Sequence, residues 1–129
     1  MAVTIAILVI MAAVAVLMRG NKGHGVQDLG VESAQKLSVS SGVTILDVRT
    51  AQEFREGHLN GALHIPIAEL SGRIGELVPL NKRQFLVYCL AGGRSAVACR
   101  ILKKSGFSRV ANMQGGISAW QRKGYPLVA

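Results

Sequence analysis

Seven consecutive residues, Cys89-Leu90-Ala91-Gly92-Gly93-Arg94-Ser95, bring together a nucleophile, two glycines, a permanent cation and a hydroxyl. Glycine lets a backbone curl until several N–H groups converge on one point. A helix opening just beyond adds the positive end of its dipole there. A thiol held at that point is drawn toward thiolate, its nucleophilic form. Cys89 is therefore the expected catalytic residue, and Leu90, Ala91, Gly92, Gly93, Arg94 and Ser95 are the expected substrate-binding positions. Arg94 carries a planar donor fork, suited either to an oxyanion donor or to closing the loop. Gly92 and Gly93 read as conformational rather than chemical.

The loop needs a scaffold, and the flanking sequence supplies one. The apolar run Phe85-Leu86-Val87-Tyr88 leads straight into Cys89, so a buried strand over Gln84–Tyr88 and a helix over Ser95–Ser105 are expected. Upstream, Val26–Leu29 reads as a short strand, Glu32–Val39 as a helix and Val43–Val48 as a strand. Thr50-Ala51-Gln52-Glu53 matches a capping box and opens a short helix ending near Gly57. Ala62–Ile65 is a short strand stopped by Pro66, and Ile67–Leu77 has helical spacing. Downstream, Arg109–Met113 is a strand and Gly116–Lys123 a closing helix. Alternating β and α elements with near-continuous apolar strands predict an α/β fold with a parallel sheet covered on both faces. Ligands of such sheets bind at the carboxyl ends of the strands, where the Cys89 loop falls.

Composition adds an appendage to this domain. Residues 2–18 carry no charge, proline or glycine, and as a helix would reach about 25 Å, enough for a short transmembrane anchor. Residues 19–25 hold three glycines and read as a flexible linker to a domain over 26–129. Arg19 and Lys22 just after the apolar stretch place the domain on the cytoplasmic side of the cell membrane as a single-pass protein. Ala13-Val14-Ala15 also fits a signal-peptide cleavage pattern, so a removed leader is the competing reading. All fifteen Lys/Arg and all seven Asp/Glu lie beyond Met18, giving the aqueous part a formal charge of +8. The basic residues are scattered and stacking aromatics are few, which argues against nucleic acid and for attraction to anionic lipid headgroups.

The motif series resembles the rhodanese-like (sulfurtransferase) family from about Val31 to Pro126. The resemblance is carried first by Leu46-Asp47-Val48-Arg49, Glu53-Phe54, Gly57-His58-Leu59-Asn60-Gly61-Ala62 and His64-Ile65-Pro66. It continues through Cys89 to Ser95, Gly106-Phe107, Gly115-Gly116-Ile117 with Trp120, and Gly124-Tyr125-Pro126. The resemblance implies a small three-layer α/β fold with a five-stranded parallel sheet. It also implies a cysteine that takes a sulfane sulfur from a donor, carries it as a persulfide and passes it to a thiophilic acceptor. Thiosulfate and cyanide are the usual assay pair. A small sulfur-donor anion or a persulfide-donor protein would then load Cys89, and a thiol or cyanide would unload it, with no cofactor. The alternative reading is a membrane-tethered sulfur-relay or protein-binding module with little thiosulfate turnover.

Loop length separates this reading from phosphoryl chemistry. Cysteine phosphatases place five residues between cysteine and arginine, whereas four lie between Cys89 and Arg94. Family members active on thiosulfate often carry a cation directly after the cysteine, and this chain has Leu90 there. Asp47 and Arg49, at the carboxyl end of their strand, are expected either to pair and buttress the loop or to reach substrate. His58 and His64 read as structural, Trp120 as core, and Cys99 as a structural cysteine or a resolving thiol. No two Cys or His residues show metal-ligand spacing on one element, so no metal site is expected.

Overall fold

The computed structural model describes Ala6 and residues 25–129. All of the anchor expected over 2–18 except Ala6, and nearly all of the linker, lie outside the described residues. Among the described residues no helix is long and apolar enough to cross a membrane.

Five strands, all parallel, form one sheet in the order β1-β5-β4-β2-β3: β1 (Gln27–Leu29), β2 (Val43–Asp47), β3 (Leu63–His64), β4 (Gln84–Tyr88) and β5 (Arg109–Met113). The central strand β4 is buried along its whole length and hydrogen-bonds to β2 and β5, with Asp47 beside Tyr88 and Val87 beside Asn112. Side chains alternate across a strand, so one apolar run serves two cores. Phe85, Val87 and Cys89 face one layer, packing with Leu70, Ala98, Cys99, Leu102 and Phe107. Leu86 and Tyr88 face the other, against Ala34, Leu59, Ile117 and Trp120. Phe85 and Phe107 meet edge to face with ring centres 5.2 Å apart, and Trp120 and Tyr125 do so at 5.1 Å.

The helices are α1 (Val31–Ser38), α2 (Ala51–Glu56), α3 (Ile67–Arg73), α4 (Gly93–Lys104) and α5 (Gly116–Arg122). The capping box at α2 forms as expected: the Glu53 N–H donates to Thr50 Oγ1, and the Thr50 N–H donates to Glu53 Oε1 at 3.1 Å. Two expectations are corrected. The helix read over Ile67–Leu77 stops at Arg73 and continues as two 3₁₀ turns, Ile74–Glu76 and Val78–Leu80. Gly72 and Gly75 weaken the α-helix there and Pro79 cannot continue it, while the apolar face that suggested a longer helix is still buried through Leu70 and Leu77. The helix expected from Ser95 starts two residues earlier, at Gly93. Gly92 completes the turn alone, at φ 109°, so Gly93 already has helical neighbours.

Candidate active site

The sheet delivers Cys89 to the carboxyl end of its central strand, and α4 begins four residues later. The Cys89 side chain is enclosed, with 1% of the residue exposed. The Gly92 N–H donates to Sγ at 3.1 Å, and Ser95 Oγ lies 3.3 Å from Sγ. Ser95 Oγ is also 3.2 Å from the Gly92 carbonyl, to which it donates. A neutral thiol can therefore donate to Oγ while the hydroxyl donates to Gly92; when the thiol ionises, the hydroxyl proton can turn onto sulfur. Burial pushes the Cys89 thiol up. Hydrogen bonds from the Ser95 hydroxyl and from the N–H groups of Ser95, Gly92 and Ala91 outweigh that, so it titrates below the ordinary cysteine range.

A second helix holds the loop from behind. The Ile117 N–H donates to the Cys89 carbonyl at 2.9 Å, and the Ser118 N–H donates to the Leu90 carbonyl at 3.0 Å. The start of α5 thus pulls the loop carbonyls away, leaving its N–H groups free to face sulfur. The approach is so close that a Cβ on Gly116 would collide with both carbonyl oxygens, and Gly116 has a φ of 58°. From the sequence Gly116 is expected only as the start of the closing helix and as part of the family's motif series, and nothing local signals this role.

That geometry joins a direct match to a known family. The profile of the family described as "Rhodanese-like domain" matches residues 31–123. The chain belongs to this family. A protein named "Sulfurtransferase" from Allochromatium vinosum is 37% identical over 105 residues, covering 81% of this chain and 96% of that one. "Thiosulfate sulfurtransferase PspE" of Escherichia coli is 37% identical over 70 residues, covering 54% of this chain and 67% of that one. Among solved structures, the rhodanese-related protein from Thermoplasma volcanium superposes with a TM-score of 0.71 at 30% identity, over 79% of this chain and 97% of that one. The chain is a rhodanese-like sulfurtransferase domain by family, and its sheet is the five-stranded parallel one expected.

Within this rhodanese-like domain Asp47, Arg49, Glu53 and Arg94 are engaged with one another in two ion pairs. Asp47 and Arg49 form a buried pair: Arg49 Nη2 lies 2.7 Å from Asp47 Oδ2, and Nε is 3.1 Å from both carboxylate oxygens. Arg49 Nη2 also donates to the Gly57 carbonyl at 2.6 Å, and its guanidinium stands 5.6 Å from the centre of the Tyr88 ring. Of the two roles open to Asp47 and Arg49, the geometry is that of a buttress. Burial alone would lower the Arg49 pKa, but the Asp47 carboxylate more than offsets it and the guanidinium is raised.

Arg94 sits in the loop as expected, yet its fork is occupied. Nη1 and Nη2 donate to Glu53 Oε1 and Oε2 at 2.8 and 3.0 Å, a bidentate pair joining the start of α4 to the start of α2. This is the loop-closing role rather than the donor-binding one. The Arg94 guanidinium and the Thr50 donors overcome burial and hold the Glu53 carboxyl down at about 2. From the sequence Glu53 is expected as a capping residue and as part of the family's motif series, and its pairing with Arg94, 41 positions away, has no local signal.

Leu90 points outward, 47% exposed, at the edge of a cavity of about 340 Å³ lined also by Glu56, Ile117, Gln121 and Leu127. Gly93 makes no close approach: a Cβ there would meet nothing within 4 Å. His58 and His64 both stack on the Phe54 ring, with ring centres 3.7 and 4.5 Å away, and each imidazole bonds a backbone carbonyl, as the structural reading expects. Cys99 is fully buried in the α4 layer, and burial pushes its thiol up to about 12, which suits the structural reading over a resolving thiol.

Proposed function

We propose that this protein moves a sulfane sulfur from a donor such as thiosulfate or a persulfide to a thiol or cyanide acceptor, carrying it as a persulfide on Cys89. The observation that carries this reading is the ring of donors on Sγ at the positive end of a twelve-residue helix. Cys89 thiolate attacks the outer sulfur of the donor. The donor S–S bond breaks and its electron pair leaves with sulfite or a thiolate, while a new Sγ–S bond forms. The charge now sits on the outer sulfur, in reach of the helix dipole and loop N–H groups. Acceptor attack on that sulfur returns Cys89 to thiolate, so the cycle balances without an external oxidant.

The test is intact-mass analysis of the full chain after thiosulfate or cysteine hydropersulfide, beside Cys89→Ala. A one-sulfur adduct on the parent, removed by cyanide and missing from the variant, is expected. Its absence with both donors defeats the reading. The apolar stretch 2–18 supports a further proposal, that the domain is tethered to the cell membrane and faces the cytoplasm. A reporter active only outside the cytoplasm, fused after Ala129, should then stay silent.

A further inference from the structure

We propose that Glu53 sets donor specificity in this protein: by engaging Arg94 it withdraws that cation from the Cys89 cradle and selects organic persulfides over dianionic donors such as thiosulfate. The inference rests on the persulfide-carrier reading above and deepens it. The two arginines whose ion pairs frame the loop, Arg49 and Arg94, are committed. Arg49 is enclosed with Asp47, and both terminal nitrogens of Arg94 are held by the two oxygens of Glu53. Each guanidinium charge is thereby cancelled by a carboxylate at contact distance.

The cavity beside the loop points the same way. Its charged lining is Arg49 and Glu53, each already in an ion pair, and the Glu56 carboxylate, which accepts only from the Gln52 amide, and its apolar walls are Leu90, Ile117 and Leu127. A sulfonate group brought here would meet the Glu56 carboxylate and no unpaired cation of the lining, and would leave part of its hydration unreplaced. An alkyl persulfide brings a carbon body for the apolar walls and at most one charge on the reacting sulfur. The loop N–H groups suffice for that single charge, since they point at Sγ itself. Both donors react by the same balanced step: the donor S–S bond breaks, Sγ–S forms, and sulfite or an alkyl thiolate leaves.

Glu53→Gln tests the assignment while keeping a capping-box side chain that can still accept from Thr50. Second-order rates of Cys89 loading are measured on the full chain with thiosulfate and with cysteine hydropersulfide, across a range of ionic strength. Releasing Arg94 should raise the thiosulfate-to-persulfide rate ratio by about five-fold or more, seen mainly in the thiosulfate KM. The gain should shrink as salt screens the freed charge. A purely structural effect would move both donors together and show no such salt dependence. The double variant Glu53→Gln/Arg94→Gln removes the pair without changing net charge and should return the ratio to within about two-fold of the parent. A parent that loads sulfur, with the ratio unchanged in Glu53→Gln or collapsed in the double variant, overturns the inference alone. A parent that loads from neither donor overturns the carrier reading and this inference with it.

Discussion

At the sulfur atom, two opposing effects set reactivity. Burial penalises the thiolate, and three backbone N–H groups plus one hydroxyl reward it; the reward wins. The hydroxyl is the separable part, because Ser95→Ala leaves the backbone donors in place. That variant should raise the Cys89 pKa by up to about one unit, the value of one modest hydrogen bond to a charged group. The reading is the pH dependence of alkylation by iodoacetamide: the midpoint moves upward, and the rate near neutrality falls as less thiolate is present. Cys99 does not confuse the assay, since it is fully buried and its thiol is pushed up to about 12. An unmoved midpoint would mean that the amides alone set the ionisation.

At the level of elements, the loop is a joint between one strand and two helices, and its glycines have unequal jobs. Gly116 admits no side chain, because its φ is positive and carbonyl oxygens of Cys89 and Leu90 occupy the Cβ position. Gly116→Ala should cost more than about 2 kcal/mol in urea unfolding and should abolish sulfur loading, since the loop must lift off α5. Gly93→Ala should be neutral or stabilising by up to about 1 kcal/mol, with loading retained, because the site is open and its φ is ordinary. Loss of loading in Gly93→Ala would show that the second glycine is needed for motion rather than space. The sequence alone ranked the Gly92-Gly93 pair above Gly116, because adjacency to the cysteine was visible and packing by a helix 27 positions away was not. The same limit explains Glu53. Its capping role was legible from a spacing of three, whereas its pairing with Arg94 depends on how β2 and β4 set α2 and α4 side by side. The over-long helix at Ile67–Leu77 failed for a different reason: 3₁₀ turns can bury the same apolar side chains as an α-helix, so periodicity alone did not distinguish them.

Across the whole molecule, the parallel sheet and its two-faced core were readable because β-periodicity and the βα alternation are strong local signals, whereas the strand order, which depends on how the crossovers run, was not. The energetic consequence of that core was not readable, since it depends on which acids the two layers enclose. Cys99 lies in one layer with its thiol pushed up to about 12, and Tyr88 lies in the other with its phenol also raised, chiefly by burial and then by Asp47. In the unfolded chain a cysteine ionises near about 8.5 and a tyrosine near about 10. Above about pH 8.5 the unfolded state therefore binds fewer protons than the native state, and unfolding free energy falls as pH rises. Cys89 has the opposite sign: its lowered pKa stabilises the fold above the unfolded value and adds no slope in this window. Urea unfolding at a series of pH values should thus show stability declining from about pH 8.5, at up to about 1.4 kcal/mol per unit from Cys99, and steepening once Tyr88 joins above about pH 10. Cys99→Ala should lower stability at every pH through the lost packing, yet flatten the slope between about pH 9 and 10. Equal slopes in parent and variant would mean that the buried thiol ionises in the native state, and that the α4 layer is more open to water than its complete burial implies.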